Sequence, residues 1–243
     1  MIAYQLITNQ GDRECNEDSA TCIETDGNLC FIVADGLGGH GKGDIASQKV
    51  VESFKWEFNT VPENNKNFLI NAFTNAQNEI RTLQKTQGSR FQMMTTAVCL
   101  SISNGKCQWG HIGDSRLYAF CKNKVKFRTL DHSVPQMLAI SGQIKDKHIA
   151  RHPDRNRLLR AIGVEWDSPR YELSEELPLY DFEAFLLCTD GFWEHIAQRK
   201  MCSFLKKSST PDEWINFMAT EVVKNARGQD MDNYTAIAVF VRN

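Results

Sequence analysis

The run Phe31-Ile-Val-Ala-Asp35-Gly36-Leu-Gly38-Gly39-His40-Gly41-Lys42-Gly43-Asp44 takes an apolar strand pattern into a glycine-crowded loop and then a helical pattern. Asp35 closes the strand, five glycines fall in the next eight positions, and Asp44 stands where a helix N-cap belongs. Strand, Gly-rich loop and helix in this order hold something small and charged at the end of a sheet. Gly36-x-Gly38-x-x-Gly41 fits a dinucleotide fingerprint, and Gly36-x-x-x-x-Gly41-Lys42 fits all but the last position of a triphosphate loop. The triphosphate reading fails at Gly43, where a Ser or Thr hydroxyl is needed. The dinucleotide reading needs a second parallel strand within about thirty residues, and two helical patterns come first. In both, the bare Asp35 carboxylate would repel the phosphates. A cation between them removes the conflict, so the loop reads as a metal site whose glycines let the backbone approach an ion. A plain Asp-Gly turn is the alternative at this point.

Around this stretch the chain has 243 residues, 42% hydrophobic and 24% charged, with a net charge of -2 and a pI near 6.3. That is enough chain for a substantial core, and the weak negative balance disfavours a general nucleic-acid or anionic-membrane binder. The N-terminus has no basic region followed by an apolar stretch, and no apolar run reaches the length of a membrane span. Eight cysteines lie mostly in or beside apolar runs without a C-x-x-C pair, which suits reduced thiols and a cytoplasmic location better than disulfides or zinc.

Upstream, residues 3–8, 20–24 and 29–34 read as strands, the last two joined at Asp26-Gly27-Asn28. Downstream, Ala46, Val50, Phe54 and Phe58 mark one helix face, and Leu69, Ala72, Phe73, Ala76, Ile80 and Leu83 a second. Residues 86–93 read as a polar, mobile connection. Strands follow at 95–102, 107–112, 116–121 and 124–130, joined closely enough for an antiparallel meander. Residues 133–160 form a polar excursion with a helical pattern at 134–140. Strands resume at 171–174 and 183–189, two helices start near 194 and 211, and Tyr234–Val241 is the last strand. Paired helices and antiparallel runs disfavour a doubly wound sheet, and no linker divides the chain, so 1–243 reads as one domain.

Asp35 and Asp190 each close an apolar strand and precede a glycine. Asp114 sits in a tight turn, Asp232 before the final strand, and Glu17-Asp18 before an early one. Asp is a preferred turn former, so each alone is unremarkable. Gathered at one rim they would repel and need cations between them, and all-oxygen ligation suits Mg2+ or Mn2+. Such ions activate water and neutralise a phosphoryl group under attack. Arg13 could fork two phosphoryl oxygens or be a plain surface arginine.

Arg13-Glu-Cys-Asn16-Glu17-Asp18, Val33-Ala-Asp35-Gly36-Leu-Gly38-Gly39-His40, Thr95-Thr96-Ala97, Gly113-Asp114-Ser115-Arg116, Asp131-His132-Ser133, Arg160-Ala-Ile-Gly163, Thr189-Asp190-Gly191 and Asp232-Asn233-Tyr-Thr235 occur in one order along nearly the whole chain. Together they resemble the metal-dependent (PPM, type 2C) Ser/Thr protein phosphatases in their compact bacterial form. The resemblance implies an α+β fold, a four-layer αββα sandwich of two packed antiparallel sheets flanked by antiparallel helix pairs. It implies hydrolysis of phosphoserine and phosphothreonine by direct attack of a water bridging two divalent metal ions, without a phosphoenzyme. Asp35 would bridge the two ions, the Gly36 carbonyl would ligate one, and Asp190 and Asp232 would hold the other. Glu17 and Asp18 would act through water, Arg13 would hold the phosphate, and Asp114 with Asp190 would take a third, weaker ion. Residues 133–160 would be a flap beside the cleft, with His132 and His152 serving its structure.

Two positions depart from the family pattern. Leu37 stands where animal members carry a His proposed as general acid, leaving His40 or a metal-bound water as proton donor, and Met94 replaces a glycine before Thr95-Thr96. The expected partners are phosphorylated proteins and an opposing Ser/Thr kinase, not nucleic acid or membrane, for a monomeric enzyme. A binding module that has lost catalysis and a nucleotide binder using the Gly-rich loop are the competing classes.

Overall fold

The computed structural model describes residues 1–37, 42–60, 67–88 and 92–241. Strand β1 (Ile2–Asn9) precedes a hairpin of β2 (Asp18–Thr25) and β3 (Asn28–Leu37). Asp26 and Gly27, at φ of 50° and 77°, form its two-residue turn, the left-handed pair a tight hairpin requires. Along β3 the side chains alternate between two cores: Cys30, Ile32 and Ala34 face the helices, Phe31 and Val33 the second sheet. Both faces are buried, which is why the strand reads as one continuous apolar run.

Helices α1 (Gly43–Thr60) and α2 (Phe68–Thr86) pack together over this sheet through Val50, Phe54, Ala72, Phe73, Ala76 and Ile80, all fully buried. Asp44 lies in the first turn of α1 rather than at its cap, where a carboxylate still favours the positive helix end. At the end of the connection expected at 86–93, Met93 is fully buried against α2, and its carbonyl accepts the Gln84 side-chain amide at 2.7 Å.

Next come β4 (Met94–Thr95), β5 (Ala97–Ser103), β6 (Lys106–Ile112), β7 (Arg116–Cys121) and β8 (Lys124–Arg128). They do not form the expected meander. The β5–β6 and β7–β8 hairpins belong to different sheets, and the chain crosses between them at Gly113-Asp114-Ser115, with Gly113 at φ 97°. Helix α3 (Val134–Ile140) is capped by Ser133, and a 3-10 turn spans Asp146–Arg151. The strand expected at 171–174 shortens to β9 (Glu172–Leu173), and a two-residue β10 (Leu177–Pro178) joins the same edge.

After β11 (Ala184–Cys188) comes a short α4 (Asp190–Trp193), and the helix expected from about 194 begins only at 198, as α5 (Gln198–Leu205), because Ala197 is extended at φ -75°, ψ 141°. Helix α6 (Pro211–Ala226) starts with the Thr210 hydroxyl accepting the Glu213 N–H, and β12 (Tyr234–Val241) ends the fold.

One sheet runs β1-β12-β11-β7-β8 and the other β10-β6-β5-β3-β2, with β4 and β9 attached to β3 and β6. Among the described residues all pairings are antiparallel, β3 has no parallel neighbour, and the dinucleotide reading falls. Three apolar layers separate the α1–α2 helices, the two sheets and the α4–α6 helices. This is the αββα sandwich that the resemblance implies.

Candidate metal centre

In the β2–β3 register Asp18 stands directly opposite Asp35. Like charges in facing strand positions are unfavourable on their own. The main chain of Asp35 is fixed by its neighbours: its N–H donates to Thr96 Oγ1 at 3.0 Å, and its carbonyl accepts from Thr96 N–H at 2.9 Å and Thr95 Oγ1 at 2.7 Å. The Gly36 N–H donates to the Glu17 carbonyl at 3.1 Å. A Cβ on Gly36 would lie 2.6 Å from that oxygen and collide with the Gly43 backbone, so only glycine lets the loop, α1 and Glu17 converge.

The second sheet supplies its carboxylates from the ends of adjacent strands. Asp190 opens α4 directly after β11, and Asp232 precedes β12. Thr189 ties them to the first sheet: its hydroxyl accepts the Thr235 N–H at 3.0 Å and donates to Asp18 Oδ2 at 2.9 Å. Asn233 performs a similar task, accepting the Glu17 N–H at 2.8 Å and donating to the Gln10 and Cys15 carbonyls at 2.7 and 2.9 Å. Asp114 arrives on the sheet crossing. Its carbonyl accepts the Trp193 indole N–H at 3.0 Å, and Trp193 lies under the Arg116 guanidinium, which forks onto Asp131 at 2.7 and 2.6 Å.

The result is a cavity of about 450 Å³ whose wall includes Arg13, Glu17, Asp35, Gly36, Asp114, Asn156, Asp190 and Asp232. Burial drives Asp35 and Asp114 well above the usual carboxylate range, and the charge of Asp190 adds to both. Burial pushes Asp18 up to about 7 against its bonds from Thr235 and Thr189, with Asp190 and Asp232 adding to the rise. Asp190 and Glu17 are raised by burial too. Among the described residues, the buried Asp18 Oδ1 and Asp114 Oδ1 have no hydrogen-bond partner. Oxygens left so, in a cage of like charges, fit divalent cations that take oxygen ligands.

Asp18, Asp35, Gly36, Asp190, Asp232, Glu17 and Asp114 thus meet in or beside one cavity. Arg13 stands in its wall, but its guanidinium is engaged with Asp232 at 2.9 and 3.1 Å and with Asp230 at 3.2 Å. His40 lies outside the described residues. Thr189, Thr96 and Asn233 carry support roles that the sequence reading did not assign, although a lone Thr ending an apolar strand is a visible signal. His111, His132 and Glu172 form a separate group with ligand atoms within 4.8 Å of one another. It is not ready for a metal: His132 Nδ1 accepts the Gly113 N–H at 3.1 Å, which leaves its proton on Nε2, 3.1 Å from Glu172, and His111 Nε2 donates to the Leu130 carbonyl at 2.8 Å. All eight cysteines are free. Among the described residues no helix is long and apolar enough to cross a membrane.

Comparison with known proteins agrees with this fold. The chain is 30% identical over 234 residues to the serine/threonine phosphatase stp of Listeria monocytogenes, covering 93% of this chain and 90% of that protein. The crystal structure of serine/threonine phosphatase Stp1 from Staphylococcus aureus superposes with a TM-score of 0.89 at 23% identity, covering 100% of this chain and 96% of that one. The catalytic domain of serine threonine protein phosphatase PstP, solved with 2 manganese ions, superposes at 0.82 with 22% identity, covering 100% and 99% of the two chains. The family profile described as Protein phosphatase 2C matches residues 8–229. With that match spanning most of the chain, on a fold whose carboxylates close around one cleft, the protein belongs to the protein phosphatase 2C family.

Proposed function

We propose that the chain hydrolyses phosphoserine and phosphothreonine in proteins, using two divalent cations, Mn2+ or Mg2+, in this cleft and a third, weaker one at Asp114 and Asp190. The buried, partnerless oxygens of Asp18 and Asp114 inside a cage of carboxylates carry this reading. Asp35, the Gly36 carbonyl, Asp190 and Asp232 would hold the two principal ions, with Glu17 and Asp18 reaching them through water. When bound, such ions lower the pKa of a water shared between them, for direct attack on phosphorus, and offset the phosphoryl charge. Thr189 and Asn233 keep the two sheets' carboxylates in one frame. Arg13 stands where its guanidinium can exchange Asp232 for two phosphoryl oxygens, one anion for another. The proton for the leaving alcohol would come from His40 or from solvent. Phosphorylated proteins are the substrates, an opposing Ser/Thr kinase supplies them, and residues 1–243 act as one catalytic domain.

The test is Asp35→Asn and Asp190→Asn in the full chain with Mn2+. Turnover of a phosphothreonine peptide and of p-nitrophenyl phosphate should fall at least about a thousandfold, and calorimetry should show Mn2+ binding lost. Activity retained in either variant would overturn the assignment of the metal ligands.

A further inference from the structure

The cleft is lined by carboxylates, yet residues 133–160, which supply Asn156 and Leu158 to its wall, are strongly basic. They carry six Lys and Arg against Asp146 and Asp154, a surplus of four positive charges in a chain of net charge -2, so the remaining residues hold -6. Part of this surplus is internal wiring. Arg155 pairs with Glu194 at 3.2 Å and Arg160 with Glu172 at 3.0 Å. The two Asp do not neutralise the rest: Asp146 is taken by Arg128 at 2.7 Å, and Asp154 faces His152 at 3.9 Å. Lys145, Lys147, Arg151 and Arg157 are exposed and, among the described residues, have no carboxylate partner.

These four charges are presented from a fixed surface. Ile149, 2% exposed, anchors the 3-10 turn of Lys147 and Arg151 into the apolar layer under α4–α6. Two turns then follow, Arg155 N–H to His152 O at 3.0 Å and Arg157 N–H to Asp154 O at 2.9 Å, and the Arg157 carbonyl accepts the Val134 N–H at 3.0 Å. Arg157 therefore sits on a pinned backbone between the two cleft-lining residues Asn156 and Leu158. Arg157 is thus an unpaired cation at the cleft wall, with Lys145, Lys147 and Arg151 on the segment that leads to it, and such cations attract anionic chains and repel cationic ones.

We propose that this face docks the polypeptide flanking the phosphorylated residue and selects substrates whose flanking side chains are acidic. The proposal rests on the phosphatase reading above. Three phosphothreonine peptides of equal length, differing only in acidic, neutral or basic flanks, would be assayed with the full chain and Mn2+ at low and high salt. At low salt kcat/KM should be about tenfold higher for the acidic than for the neutral peptide, through KM, with the basic peptide poorest. High salt should compress the series, since exposed charges are screened within about 10 Å at 0.1 M. R151E/R157E should erase the ranking while leaving p-nitrophenyl phosphate turnover unchanged. If that variant does not fold by circular dichroism, K145E/K147E provides the same comparison. Equal kcat/KM for the three peptides, or a ranking that survives the charge reversals, would sink the docking face while neutral-peptide turnover left the phosphatase reading intact. Loss of all peptide and p-nitrophenyl phosphate turnover in the unaltered chain would remove both.

Discussion

At Gly113 the chain passes from one sheet to the other, and His132 holds the passage from both sides. Its N–H donates to the Gly113 carbonyl at 2.9 Å, and its Nδ1 accepts the Gly113 N–H at 3.1 Å. The ring is stacked on His111 at 4.6 Å and meets Glu172 and Arg160 at Nε2. Burial, then the neighbouring His111, lowers His132 to about 4, and burial also lowers His111. For a base held low in the fold, the unfolded chain takes the proton first. The stabilisation is therefore complete above the ordinary histidine value near 6.5 and is lost as pH falls from there toward 4. The raised carboxylates of the cleft act with the opposite sign, so the informative quantity is a difference between proteins. His132→Asn keeps an acceptor for the Gly113 N–H and has no proton to gain. Its stability relative to wild type should rise by on the order of 2 kcal/mol between pH 7 and pH 4.5 in denaturant titrations. His132→Ala leaves a buried N–H unpaired and should lose about 1–3 kcal/mol at neutral pH. Parallel pH profiles for wild type and His132→Asn would show that the ring does not titrate in this way.

Among the elements, the β2–β3 hairpin and the start of α1 form one unit around Gly36. A methyl group there meets the Glu17 carbonyl and the Gly43 backbone, none of which can rotate away. Gly36→Ala should therefore displace α1 from the hairpin, lowering stability by about 1–3 kcal/mol in urea and weakening Mn2+ binding in calorimetry. Unchanged Mn2+ affinity would mean that the close approach serves only packing. Much of this unit was legible in the sequence, because Asp26-Gly27 has one favourable turn geometry and the apolar run before Asp35 has one length. Asp190 was legible for the same reason, as a carboxylate ending an apolar strand before glycine. The sheet crossing at Asp114 was not: Gly113-Asp114-Ser115 is as short as a hairpin turn, and local pattern does not say which sheet the next strand joins. Nor was the break before α5, since Ala197 is a strong helix former held extended by its surroundings. Arg13's engagement with Asp232 was also hidden, because it joins loops that are 219 residues apart.

On the scale of the molecule, the cleft exists only while the two sheets are packed. Asp18 and Asp35 come from one, Asp190 and Asp232 from strand ends of the other, and the layer between is closed by fully buried side chains such as Phe31, Phe185 and Val239. A cation shared by both sheets binds the folded arrangement alone, so it adds RT ln(1 + [L]/Kd), about 2.7 kcal/mol at a hundredfold excess over Kd. If residues 1–243 fold as one unit, calorimetry of the chain stripped with chelator should show one transition, and Mn2+ should move that whole transition upward. Phe185→Ala, which empties part of the shared layer, should cost about 3–5 kcal/mol and lower the midpoint with and without Mn2+, still as one transition. Asp190→Asn separates metal from packing. It removes a buried charge from a crowded cage, so the metal-free chain should gain on the order of 1 kcal/mol of stability and a higher midpoint, while the upward shift with Mn2+ disappears. Two transitions, one of them indifferent to Mn2+, would instead mean that the halves of the sandwich melt separately and that the carboxylates converge without coupling them.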